Sequence, residues 1–187
     1  SLTGWFTEDF TLDELNQLKA RERIPELRPA NTAYNDQYNI PTLDQIIQLA
    51  DDHYKKTGKI IGLYIETKHP TYFQQHNLSL EDPLLKTLAK YRYSRDLAPI
   101  YLQSFEVSNL KYLKDQLALH KSVKHAQLIQ LYDEKQLQPA DYVAQKINIT
   151  YADMATAQGL KEVASYANGV GPWKPYLLNE AGTAPSA

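Results

Sequence analysis

The sequence predicts an α/β protein built on a parallel sheet, and three observations predict it. Apolar residues at helical spacing alternate with short β-branched runs. Two helix starts carry capping signatures. Each candidate strand ends in polar residues, as strands do when their C-terminal ends are gathered at one mouth. With 187 residues and 43% hydrophobic content, the chain is one domain's worth of polypeptide, so residues 1–187 are expected to form a single domain with its own core.

The elements follow in order. "TLDE" at Thr11 and "TLDQ" at Thr42 read as capping boxes, in which the hydroxyl and the side chain three residues on satisfy orphan backbone donors. After the second, Leu43, Ile46, Ile47 and Ala50 fall at i, i+3, i+4 and i+7, the stripe of a helix lying on a sheet. The run 60–65 is short and rich in β-branched residues, as in a strand buried on both faces. A second capped helix then starts near Asp82 and Pro83 and carries "LLKTLAKY". Strands are expected at 99–105 and 126–132, helices in "SNLKYLKDQL" and "ATAQGLKEVASYA", and a short strand near "GVGPW".

Two parallel architectures fit this alternation, an open doubly wound sheet and a (β/α)8 barrel. The strand ends favour the barrel: Glu66 and Lys68 follow the first strand, Gln103 and Ser104 the second, Asp133 the third, and Trp173 and Lys174 the fourth. An open sheet would gather its ligands at one switch point, and no glycine-rich phosphate loop follows any strand; "GVG" at Gly169 does not continue into a dinucleotide fingerprint. Four strands fall short of a barrel of roughly 250 residues. The sequence therefore describes a small sheet or part of a barrel.

Composition excludes several classes. A net charge of -2, from 20 basic and 22 acidic residues well interspersed, leaves no basic stripe for a phosphate backbone, so nucleic acid is not an expected partner. The 14 tyrosines show no regular stacking pattern. No apolar run approaches the roughly 20 residues of a membrane span, and the start "SLTGWFTEDF" lacks the regions of a signal peptide. The absence of cysteine rules out disulfides and thiolate chemistry. The triplets at Asn77 and Asn148 are common by chance and carry no argument.

The stretches "WFTEDFTLDELNQLKARERIPELRPANTAYNDQYNIPTL", "GLYIETKHPTYF", "LQSFEVSNLKYL" and "YANGVGPWKPYL" occur in order over nearly the whole chain. Together they resemble the bacterial exported type of glycerophosphodiester phosphodiesterase. The resemblance implies a (β/α)8 TIM barrel of the phospholipase-C-like phosphodiesterase superfamily. It implies hydrolysis of small glycerophosphodiesters to an alcohol and sn-glycerol 3-phosphate with a divalent cation, calcium or alternatively magnesium, and a periplasmic or exported location. The family's H-R-G strand, its P-E-N-T or P-E-H-T element, its E-x-D strand and its H-D pair are not in this sequence; in "RPANTAY", Ala30 stands where the glutamate would be. Those segments supply both catalytic histidines and two of three metal carboxylates. The chain is accordingly read as the middle of a barrel, starting after the second strand and ending near the sixth.

By this resemblance Glu66 is the third metal carboxylate and Lys68 a fixed positive charge beside the phosphate. Strand alternation puts both on one face. Without the resemblance, the same two residues read as a solvated pair at a sheet edge, or as a lysine that satisfies a carboxylate. Gln103 and Ser104 either line the site or bond neighbouring backbone as the chain turns. Phe105 is a pocket wall or a core residue. Trp173 offers an apolar surface to glycerol carbons or packs under a loop. His69 precedes Pro70, is biased to extended backbone, and is read as shaping its loop. His53, His76, His120 and His125 stand apart without metal spacing. A noncatalytic binding module and a hydrolase of phosphoinositides or sphingolipids are the alternative functions. Half a barrel exposes strand edges, so self-association is also expected.

Overall fold

The computed structural model describes residues 3–119 and 122–178. The chain divides into two compact units, Ser1–Ile46 and Ile47–Ala187.

None of the described residues in the first unit is fully buried, and polar bonds organise it. Its helix α1 (Leu12–Leu15) begins at the expected box: Glu14 N donates to Thr11 Oγ1 at 3.3 Å and Thr11 N donates to Glu14 Oε2 at 2.8 Å. Pro29 opens a 3-10 helix, Pro29–Tyr34, where its fixed φ suits the first helical position. Lys19 and Asn39 form an isolated antiparallel bridge, and the Lys19 ammonium donates to Asn39 Oδ1 at 2.7 Å. Glu22 N donates to Asn35 Oδ1 at 2.7 Å, so "RPANTAYN" is tied back by polar bonds.

The helix α2 (Leu43–Thr57) starts at the second box, with Thr42 N donating to Gln45 Oε1 at 2.8 Å. Its inward stripe is narrower than expected. Ile47 and Ala50 are buried, whereas Ile46 is 38% exposed, because the inward face centres one residue further round the helix.

In the second unit β1 (Leu63–Glu66) leads to α3 (Pro70–Gln75) and α4 (Glu81–Lys90), then a π-helical turn, Tyr93–Leu97. Next come β2 (Ile100–Ser104), α5 (Val107–Leu119) and β3 (Gln127–Tyr132). The helices α6 (Ala140–Gln145), α7 (Tyr151–Met154) and α8 (Ala157–Ala164) precede β4 (Gly169–Pro172). The four strands are all parallel and lie in the order β1-β2-β3-β4. Sequential order has a direct consequence: right-handed crossovers between successive strands all fall on the same side of the sheet. An open doubly wound sheet reverses its order and covers both faces. This sheet is instead wound as a barrel is, and it is an incomplete one.

Burial follows from that winding. Leu63, Ile100, Leu102, Leu128 and Tyr132 face the helices and are at most 5% exposed, as are Leu85, Leu88, Leu110 and Leu113 of the helices. On the other face Tyr64 and Tyr101, paired in register with rings 5.6 Å apart, are 54% and 37% exposed. The expectation that the first strand is buried on both faces is thus corrected, since only one face carries helices. The predicted helix near Asp82 begins at Glu81 without a side-chain cap.

Candidate active site

The site is assembled at the C-terminal ends of β1, β2 and β3. Glu66 pairs in register with Gln103, and alternation from exposed Tyr64 and Tyr101 places both on the open face. Thr67 continues the ladder one residue further, donating N–H to Gln103 O at 3.0 Å. Its side chain turns under the sheet: Thr67 Oγ1 donates to Asn109 Oδ1 at 2.7 Å, and Asn109 Nδ2 donates to Glu81 Oε1 at 2.7 Å. Gln74 Nε2 also donates to Glu81 Oε1, at 2.7 Å. This chain joins β1, α3, α4 and α5 through one carboxyl group, and its buried members Thr67, Glu81 and Asn109 satisfy one another, with Gln74 reaching in from the exposed side.

Exposure then alternates, with Thr67 buried and Lys68 exposed. His69 adopts the left-handed conformation, φ 55° and ψ 47°, and Pro70 begins α3. The expected extended conformation of His69 is not adopted. The proline ring disfavours the right-handed helical region before it, and the chain must reverse sharply from strand to helix, so the left-handed basin serves the turn. Such a residue stores roughly 1–3 kcal/mol of strain and needs support from its surroundings.

Lys68 and His69 border a cavity of about 330 Å³ with Ser104, Phe105, Glu106, Asp133, Gln138 and Tyr151. Of the residues singled out by sequence, Lys68, Ser104 and Phe105 meet here, whereas Glu66, Gln103 and Trp173 do not border it. The Ser104 hydroxyl is engaged internally: it donates to Thr67 O at 3.3 Å and accepts from Glu106 N at 3.2 Å. Trp173 is 44% exposed beyond β4, its N–H donating to Tyr132 O at 2.9 Å. His76 Nδ1 donates to Tyr72 O at 2.8 Å, away from the cavity. His120 lies outside the described residues.

Sequence reasoning missed several contributors. Glu106 is 3% exposed, and its Oε2 accepts from Thr71 N at 2.9 Å and from the Thr71 hydroxyl. Burial pushes its carboxyl above the ordinary range; the Thr71 donors oppose this, nearby Asp141 adds to it, and His69 opposes it. Asp141 is itself buried, accepts Ser108 N at 2.6 Å through Oδ2, and leaves Oδ1 without a partner. Tyr151 packs edge-on against Phe105 at 6.3 Å and donates to Phe105 O at 3.3 Å. Burial drives its phenol well above the usual range, so it stays protonated at neutral pH and forms a wall. The only sequence signal for Glu106 is its place directly after "QSF"; Tyr151 carries none.

Among the described residues no group of three or more histidine, aspartate or glutamate side chains could hold a metal ion. Calcium takes six to eight oxygen ligands and magnesium a near-octahedral set. Glu66 alone does not fit that requirement, so the described residues do not form a metal centre.

With the geometry in place, comparison with known proteins decides the family. The profile of the "Glycerophosphoryl diester phosphodiesterase family" matches residues 3–183. The chain belongs to this family. It is 30% identical to a glycerophosphodiester phosphodiesterase of Haemophilus influenzae over 192 residues, covering 97% of this chain and 52% of that protein. A plant glycerophosphodiester phosphodiesterase, from Arabidopsis thaliana, is 32% identical over 95% of this chain and 46% of its own length. One from Treponema pallidum is 28% identical over 94% and 52%. The chain thus spans about half the length of the curated relatives it matches. Membership places the parallel sheet within the phosphodiesterase barrel fold, in agreement with its sequential winding.

Proposed function

We propose that the protein hydrolyses glycerophosphodiesters to an alcohol and sn-glycerol 3-phosphate, and that this chain carries part of the phosphate-facing wall. The observation supporting this is the placement of Lys68 on the rim of the cavity at the strand ends, in a chain of this family. A phosphodiester carries one negative charge, and charge builds on phosphorus-bound oxygen when an oxygen nucleophile attacks. An ammonium fixed beside it offsets that charge without reorganising, the kind of donor whose removal costs roughly 3 kcal/mol in comparable sites. In the net reaction water adds across the P–O bond, its oxygen to phosphorus and a proton to the departing alcohol.

Phe105 and Tyr151 supply an apolar wall for the carbons of the substrate, and Asp133 and Gln138 polar edges. The proton transfers belong, on the family resemblance, to histidines of segments this sequence does not contain. A divalent cation, calcium first and magnesium second, is proposed with Glu66 as one ligand, its other carboxylates belonging, on the family resemblance, to segments this sequence does not contain. A noncatalytic binding module that keeps the middle of the barrel is the second reading. The test is release of glycerol 3-phosphate from glycerophosphocholine, glycerophosphoethanolamine and glycerophosphoglycerol by this chain and by the complete gene product. Release by the complete product supports the enzyme. Saturable binding of these diesters without turnover supports the module.

A further inference from the structure

Lys68, His69 and Pro70 form a three-residue arch whose two feet are both pinned from below. The first foot, Thr67, is held by its ladder bond to Gln103 O at 3.0 Å and by Asn109 at 2.7 Å. The second foot, Thr71, is held by Glu106, which takes both its N–H, at 2.9 Å, and its hydroxyl. Between them His69 sits at φ 55°, a conformation that persists only where its surroundings impose it. Thr71 is the second residue of α3, so its N–H has no intrahelical acceptor. Glu106 supplies that acceptor from 35 residues away. Glu106 is in turn fixed, its own N–H donating to Ser104 Oγ at 3.2 Å.

We propose that Glu106 is a positioning residue that acts through Thr71 to hold the Lys68–His69 arch against the cavity. The inference rests on the phosphodiesterase reading for its kinetic consequence but not for its structural one. A side chain that merely stabilises the fold would lower activity in proportion to unfolding and independently of Lys68. A side chain that aims Lys68 has nothing left to aim once Lys68 is gone.

The experiment is a double-mutant cycle in the complete gene product, combined with amide exchange at Thr71. Glu106→Ala is expected to lower kcat/KM about tenfold or more, mainly through kcat, and Glu106→Gln, which keeps an acceptor, to restore it to within about threefold. In a Lys68→Ala background the further effect of Glu106→Ala is expected to shrink to about twofold or less. Protection of the Thr71 amide should fall about tenfold in Glu106→Ala and persist in Glu106→Gln. Effects of Lys68→Ala and Glu106→Ala that multiply, a Glu106→Gln as impaired as Glu106→Ala, or an unchanged Thr71 amide would each overturn the proposal. Should Glu106→Ala not fold, Thr71→Val removes the hydroxyl bond alone, and the same cycle against Lys68→Ala decides. Should the wild type turn over no glycerophosphodiester, the phosphodiesterase reading fails and Thr71 exchange alone decides the positioning role.

Discussion

Lys68 and Glu106 show how one cavity can combine an exposed charge and a concealed one. Replacing Lys68 by alanine leaves a hydrated surface position and should cost little stability, yet lower kcat/KM by about 10²–10³ if its ammonium faces the phosphate. Glu106 makes a different prediction, in stability against pH. Its carboxyl binds a proton more tightly folded than unfolded, because burial outweighs the Thr71 donors. Its stabilising contribution is therefore complete below the ordinary value of 4.5 and is lost as pH rises through the folded value. Glu106→Gln removes that titration, so the stability of the variant relative to wild type should climb as the pH rises above the ordinary value of 4.5. Urea midpoints at several pH values measure this, and parallel pH profiles for the two proteins would contradict it. The polar residues at the strand ends were legible, since "ETK" and "QSF" sit next to recognisable strands. Thr67–Asn109 and Thr71–Glu106 were not, because their partners lie 42 and 35 residues apart and no local pattern marks them.

At the scale of elements, hydrogen bonds decide where strands stop and helices begin. The chain from Thr67 through Asn109 to Glu81 and Gln74 ties three helices to the end of β1. Asn109→Ala would remove one partner each from Thr67 Oγ1 and Glu81 Oε1, which keep Gln103 O and Gln74 respectively, and is expected to destabilise by about 1–3 kcal/mol, read from chemical denaturation. A loss under about 1 kcal/mol would show that the network is relaxed or watered. Gly159 offers a second element-scale prediction. An added Cβ would run into the carbonyl oxygen of Asp153 and come within 2.5 Å of that of Met154, both backbone atoms. Gly159→Ala should therefore separate α7 from α8 and destabilise the protein by about 1–3 kcal/mol, the range of overpacked cores. Periodicity located the strands and longer helices because an apolar stripe is a local property. It missed α3, α6 and α7, which have six, six and four residues and are too short to display a stripe. It also assigned β1 two buried faces. An apolar run looks the same whichever side the helices take, and Tyr64 reveals its exposed face only once the order of strands is known.

At the scale of the whole molecule, sequential parallel order leaves one sheet face without helices and two edge strands, β1 and β4, paired on one side only among the described residues. Tyr64 and Tyr101 on that face, and the free backbone groups of the edges, favour association. The chain by itself is expected to self-associate, and light scattering that gives a monomer with well-protected edge amides would count against this. That same face carries Glu66 and Gln103, which do not border the cavity that Lys68 rims. The central claim is that the rim of this cavity handles a glycerophosphodiester through Lys68. The measurement that tests it most directly is the rate of sn-glycerol 3-phosphate release from glycerophosphocholine by the complete gene product, with calcium present, for wild type and Lys68→Ala. Turnover by wild type with a loss of about 10²–10³ in kcat/KM for the variant is the predicted result. Absence of release from any glycerophosphodiester, or equal rates for the two proteins, would contradict it.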